Sequence, residues 1–269
     1  MTQTTITNSQ TQNGSPKWTV GITTAPRAKH EYLSKTVLAL KKSGWDNIVV
    51  FAEPGSPVSY EYCVVHRRKN YGDWTNWATG FYELLLSEPD TDYFFMLEDD
   101  CLVCSGLKKY LELTIPMLGD FATVSPYCPR IYQSHITGYH NKCVGWKTVS
   151  TVATIMTRAA AIHFFADSDV QRHRFQHIFP VEAEAINWGV QVDPRNSVKD
   201  AVIGLWAYKN LLPMFYHSPS LVQHIGEIST LGDIPMNEDR EACDFVGEDY
   251  IPCWNDIQII RNSRSTLKI

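Results

Sequence analysis

At 269 residues and 44% hydrophobic content, the chain is long enough to bury one sizeable α/β core. Its formal net charge of −5 excludes a protein-wide basic footprint for nucleic acid and leaves only local basic patches for such a role. No run approaches the roughly eighteen consecutive apolar residues of a membrane span, and the N-terminal residues lack the basic and apolar regions of a signal peptide, so a soluble, cytoplasmic protein is expected.

Residues 1–16 are mainly Thr, Gln, Asn, Ser and Gly and are expected to form a disordered arm, because they offer too little apolar surface to offset the entropy of ordering. Lys17 to Thr24 is a short β-branched run that predicts a first strand, ending in the loop Ala25-Pro26-Arg27. A helix from His30 to Ser43 follows from the spacing of Leu33, Val37 and Leu40, with Gly44 placed to end it. Asn47 to Ala52 predicts a buried strand, and Glu53-Pro54-Gly55 breaks it. Cys63 to Val65 is a third strand, and Trp74, Trp77, Phe81 and Leu84 mark a second helix.

Thr91 to Leu97 contains five apolar residues in a row, as a strand covered on both faces would, and turns abruptly acidic at Glu98-Asp99-Asp100. A helix over Leu107 to Leu118, a strand over Phe121 to Ser125 and an apolar segment over Thr148 to Met156 continue the pattern. The second half predicts a helix near Val198 to Leu211, a strand over Pro213 to Tyr216 and the segment Ser218 to Gly226. Strands alternating with helices imply βαβ units: a Rossmann-like, mostly parallel central sheet flanked by helices in one domain over residues 17–260, followed by a basic tail over 261–269.

Seven cysteines at irregular spacing suit reduced thiols better than a disulfide framework. Cys101 and Cys104 form a C-x-x-C without a second pair at zinc-site spacing. His66 to Lys69, Arg172 to Arg174 and the C-terminal tail are local basic patches that read as solvated charge or as contacts to nucleic acid.

The acidic triplet carries the chemistry. Ligands of open α/β sheets bind at the carboxyl ends of the strands, where these acids fall. In an extended backbone Glu98 and Asp100 face one way and Asp99 the other. Three adjacent carboxylates repel one another unless a cation lies among them, and a hard divalent ion with oxygen ligands answers that need. The alternative is a helix N-cap with the remaining acids solvated.

A strand followed by Glu98-Asp99-Asp100, and preceded by Val20-Gly-Ile-Thr-Thr-Ala-Pro-Arg27, resembles the GT-A glycosyltransferases with their Asp-x-Asp-type signature. The likeness covers roughly Trp18 to Gly226, and the segment Trp18 to Arg27 is similar to small phage-type glycosyltransferases. The resemblance implies a nucleotide-sugar donor, with a UDP-sugar favoured, and Mn2+ or Mg2+ as cofactor. Asp100 would ligate the ion, Asp99 would hold donor ribose or sugar, and Glu98 would support both. Thr23, Thr24 and Arg27 would line the nucleotide pocket, and Glu53 would contact base or ribose. The Asn70-Tyr-Gly-Asp-Trp-Thr-Asn-Trp77 stretch resembles the Asn-x-Gly segment that would meet the donor, with Gly72 allowing close backbone approach and the aromatics able to stack on rings.

By the same likeness His224 completes the metal sphere, with neutral imidazole a sensible ligand beside carboxylates, and Gly226 to Ser229 would lie near the diphosphate. Inverting transfer needs a general base for the acceptor hydroxyl. Asp200, opening a helix, is placed where the family has that carboxylate, although Lys199-Asp200 stands where the family usually has Glu-Asp. Glu182 and Glu184 are the alternative bases. Gly145 and Trp146, with Thr148, Ser150 and Thr151, resemble the segment beneath the sugars.

In the sequence three acceptors compete: a 5-hydroxymethylated base in phage DNA, which would put the protein in the host cytoplasm, a cell-surface glycan, and a small molecule. Two other classes compete with sugar transfer. A nucleotidyltransferase would usually carry a Gly-rich phosphate loop after the first strand, where this chain has Thr23-Thr-Ala-Pro-Arg27. A non-catalytic glycan-binding module would have no use for the ordered acids.

Overall fold

A computed structural model describes residues 15–27, 32–59, 61–145, 148, 151–175, 198–226, 241–255 and 257–261. The greater part of the N-terminal arm and of the basic tail lies outside these residues, as do Trp146, Ser150, Glu182, Glu184 and residues 227–229.

The first half builds β1 (Trp18–Thr24), α1 (Tyr32–Lys42), β2 (Ile48–Ala52), β3 (Cys63–His66), α2 (Gly72–Ser87) and β4 (Tyr93–Glu98). After the acids come β5 (Cys101–Val103), α3 (Leu107–Thr114), β6 (Thr123–Ser125), β7 (Gly138–Asn141), β8 (Ala153–Thr157), α4 (Arg158–Ala166) and α5 (Ser168–Phe175). The chain continues through α6 (Val198–Lys209), β9 (Met214–Ser218), β10 (Val222–His224) and β11 (Gln258–Ile260).

Among the described residues, nine strands form one sheet in the order β11-β7-β9-β6-β8-β4-β1-β2-β3. Its β4-β1-β2-β3 portion is wholly parallel, whereas β8 runs antiparallel to both β4 and β6. Five of the eight pairings are parallel, so the mixed α/β sheet has the expected mostly parallel character.

Period-two alternation divides each central strand between two cores. Val20, Ile22, Val50, Phe95, Leu97 and Ile155 pack with Leu33, Val37 and Leu40 of α1 and with Leu107 and Leu111 of α3. On the other face Phe51, Phe94, Met96 and Met156 meet Trp77, Phe81 and Leu84 of α2, Phe164 of α4 and Trp206 of α6. Burial on both sides explains why β4 reads as a continuous apolar run rather than an alternating one.

Several expectations are corrected. The predicted helix over Leu107 to Leu118 is α-helical only to Thr114 and finishes as a 3-10 turn over Ile115–Leu118, because Pro116 has no N–H for the α-ladder. Within the apolar segment from Thr148 the strand begins only at Ala153. β5, β7, β10 and β11 are three or four residues each, too short to show a period. Arg67, placed in a basic patch by sequence, is buried: its guanidinium donates to Asn76 (2.8 Å) and to both carboxylate oxygens of Glu83, so it serves packing. All seven cysteines are free thiols, and burial pushes the Cys104 thiol up to about 12.

Candidate active site at the carboxyl ends of the parallel strands

β1, β2 and β4 end level with one another, since Thr23 pairs with both Glu98 and Phe51 and Thr24 pairs with Ala52. Their carboxyl ends, the loop after β1 and the start of α2 line a cleft that opens to solvent. Thr23, Thr24 and Arg27 line it from β1 and its loop, Glu53 from the end of β2, and Glu98 and Asp99 from the end of β4. Asn70 and Gly72 close the side formed by the start of α2. Sequence reasoning thus named eight residues from scattered loops that the fold gathers around one space. Asp73 and Asn76, also lining it, lie within the Asn70–Trp77 stretch but were not singled out in it.

The turn after β4 is clamped from several elements. Thr24 Oγ1 donates to Asp99 Oδ2 (2.5 Å), and Arg27 reaches Asp99 Oδ1 and Asp100 Oδ2 at 2.8 Å each. From α1, Thr36 Oγ1 donates to the Asp99 carbonyl (2.7 Å) and accepts from the Cys101 N–H (3.1 Å). Asp99 is almost fully buried; burial and then the Asp100 charge raise its carboxyl to about 6, against the lowering effect of Arg27 and Thr24. Neither Asp99 nor Asp100 caps a helix, because a strand follows at Cys101. The helix-cap alternative for the triplet is therefore excluded.

That unexpected strand is what recruits the distant histidine. β10 pairs antiparallel with β5 and sets His224 opposite Cys101, while the Ile225 N–H donates to the Asp100 carbonyl (2.8 Å). Glu98, Asp100 and His224 thereby present ligand atoms that all lie within 4.8 Å of one another. His224 Nε2 is 3.0 Å from Asp100 Oδ1 and 3.9 Å from Glu98 Oε2. At that ion-pair distance the imidazole and Asp100 Oδ1 are nonetheless not aligned for a hydrogen bond, and both atoms are buried. Converging lone pairs of two carboxylates and an imidazole fit a hard or borderline divalent cation such as Mn2+ or Mg2+. Burial pushes Asp100 up, but His224 and Arg27 outweigh it and hold its carboxyl below the usual range. Burial lowers His224, and Asp100 then Glu98 more than restore it, so its imidazole is raised.

Glu53 is held by the start of α2. Both of its oxygens accept the Tyr71 N–H (2.9 Å), so the carboxylate sits against the positive end of α2 while still lining the cleft. Burial raises its carboxyl despite those donors. Asn70 Oδ1 accepts the Gly72 N–H (2.8 Å) and shapes the turn, and Gly72 adopts φ of 74°, a conformation that favours glycine.

Opening α6, Asp200 is buried and its Oδ1 accepts from Thr151 through both the backbone N–H (2.8 Å) and the hydroxyl. Its neighbour Lys199 reaches into the acids, pairing with Asp73 (3.3 Å) and with Glu98. Burial lowers the ammonium, but Asp73, Glu98 and Asp200 more than offset this and keep Lys199 charged. Asp73, whose own carboxyl is raised by burial, sits in the first turn of α2, where an acid is ordinary dipole compensation and gives no functional signal. Lys199 had a sharper signal, standing in place of an expected acid.

No protein-family model and no curated protein matches the sequence. Among solved structures, residues 1–349 of S. aureus TarS align at TM-score 0.47 and 12% identity, over 76% of this chain and 60% of that one. A longer S. aureus TarS structure aligns at TM-score 0.48 and 14% identity, over 75% of this chain and 36% of that one. The aligned part is less than two thirds of either TarS chain. At such scores the likeness is to an arrangement of strands and helices, and the functional reading rests on the site. No helix among the described residues is long and apolar enough to cross a membrane.

Proposed function

We propose that the chain is a metal-dependent glycosyltransferase of GT-A type, moving a sugar from a nucleoside diphosphate to an acceptor hydroxyl. The observation that carries this reading is the convergence of Glu98, Asp100 and His224 beside a cleft lined by Thr24, Arg27, Glu53 and Asp99 at the ends of parallel strands. Finer terms of the proposal are a UDP-sugar donor, Mn2+ or Mg2+, and inversion at the anomeric carbon. A divalent ion held by Glu98, Asp100 and His224 would supply Lewis-acid neutralisation of charge on a departing diphosphate.

The chain's own residues divide the remaining work. Arg27 offers a guanidinium suited to phosphate oxygens, already oriented by Asp99 and Asp100. Thr23, Thr24 and Asn70 give hydroxyl and amide groups for ribose and base, with Glu53 beside them. Asp200, oriented by Thr151, takes the proton from the attacking hydroxyl. The first acceptor to test is 5-hydroxymethylated DNA, supported by the likeness of Trp18 to Arg27 to phage-type enzymes, which also suggests action in a host cytoplasm.

Mass spectrometry of hydroxymethylated duplex DNA and simple glycans, each incubated with the protein, Mn2+ and a panel of UDP-sugars, tests the reading. Addition of one sugar to an acceptor, dependent on the ion, is expected. If every donor and acceptor pair stays unchanged and nucleotide binding does not respond to metal, the transferase reading is abandoned.

A further inference from the structure

Lys199 is a long basic side chain in a place that disfavours one. It stands at the start of α6 with 1% of its surface exposed, and its ammonium contacts Asp73 from α2 and Glu98 from β4. A buried ammonium is costly unless acids pair with it, so these contacts fix where it lies. They also fix Glu98. One oxygen, Oε1, is taken by Lys199, and the other, Oε2, is the oxygen 3.9 Å from His224 Nε2. A cation on one oxygen of a ligand carboxylate reduces the negative charge offered at the other and repels an incoming ion directly. Sugar transfer as proposed asks nothing of an amine here.

We propose that Lys199 is a positioning residue that sets the affinity of the divalent-ion centre. It pins Glu98 so that Oε2 faces His224 and Asp100, and its charge keeps the ion more weakly held than the acids alone would hold it. It acts through Glu98. The inference rests on Glu98, Asp100 and His224 being ion ligands.

Mn2+ binding to the full chain, followed by electron paramagnetic resonance of the free ion, tests it without recourse to turnover. Lys199→Gln is expected to bind Mn2+ about tenfold or more tightly than the unaltered protein, and Lys199→Arg, which keeps the charge, to stay within about threefold of it. Unchanged or weaker binding by Lys199→Gln, or equal tightening by Lys199→Arg, overturns the proposal. Should Lys199→Gln fail to fold, the double change Asp73→Asn with Lys199→Met removes both members of one ion pair and leaves Glu98 to the ion. It too is expected to bind more tightly, by about threefold or more, because Lys199 touches the ligand Glu98 itself; no tightening overturns the proposal. Binding by the unaltered protein with no response to these changes removes only the role of Lys199. Absence of Mn2+ binding in every form removes the ion centre and this role together.

Discussion

Asp100 and Asp200 are separated by a hundred residues and by their expected effects. Replacing Asp100 with Asn removes the most buried ligand of the candidate ion centre, so Mn2+ affinity is expected to fall by about tenfold or more. Asp200→Asn should leave Mn2+ and nucleotide binding intact and lower kcat by about a hundredfold or more, as loss of a general base does. Equal loss of binding in both variants would show that Asp200 is structural. Gly226 supplies a third probe, since a Cβ there would collide with Asp100 Oδ2. Gly226→Ala is therefore expected to weaken Mn2+ binding while leaving the thermal midpoint nearly unchanged. A drop in stability without loss of ion binding would contradict the placement. Much at this scale was legible in advance: Glu98, Asp99 and Asp100 declare themselves by an abrupt change from apolar to acidic. Asp73 did not, because one acid in the first turn of a helix is ordinary dipole compensation.

At the scale of elements, short strands decide the site. The three-residue β5 and β10 bring His224 to Asp100, yet neither run is long enough to display a period in sequence. The long elements β1, β4 and α2 were legible because burial on fixed faces imposes apolar spacing over many residues. β9 carries His217, whose Nδ1–H donates to the Pro219 carbonyl (2.8 Å) while Nε2 accepts from the Tyr110 hydroxyl (2.5 Å). Burial holds its imidazole at about 4, below the ordinary 6.5. Between those values the unfolded chain binds a proton that the folded protein does not. The stability gained by keeping His217 neutral is complete above pH 6.5 and is lost as the pH falls towards 4, amounting to about 3 kcal/mol. Urea titrations from pH 7 to 4 are expected to show that decline, flattened in His217→Gln. An unchanged slope would contradict a neutral buried imidazole. At the start of α4, Thr157 accepts the Ala160 N–H (3.0 Å), and Thr157→Ala is expected to cost about 1 kcal/mol in the same titrations.

Across the described residues, a nine-stranded sheet with helices on both faces brings the ends of β1, β2 and β4 to one edge and opens a polar cleft there. The α/β class followed from the alternation of strand and helix patterns, whereas the antiparallel insertion of β8 between β4 and β6 did not, since pairing partners leave no local mark. Two cations are already committed inside the site, Arg27 to Asp99 and Asp100 and Lys199 to Asp73 and Glu98. Ion-dependent use of a nucleotide sugar, as proposed, is open to direct test. Its most direct measurement is UDP released from a panel of UDP-sugars by the unaltered protein and by Asp100→Ala, with and without Mn2+. Release from at least one donor, dependent on the ion and lost in Asp100→Ala, is expected. Release that is indifferent to Mn2+ and to Asp100, or no release from any donor, would contradict it.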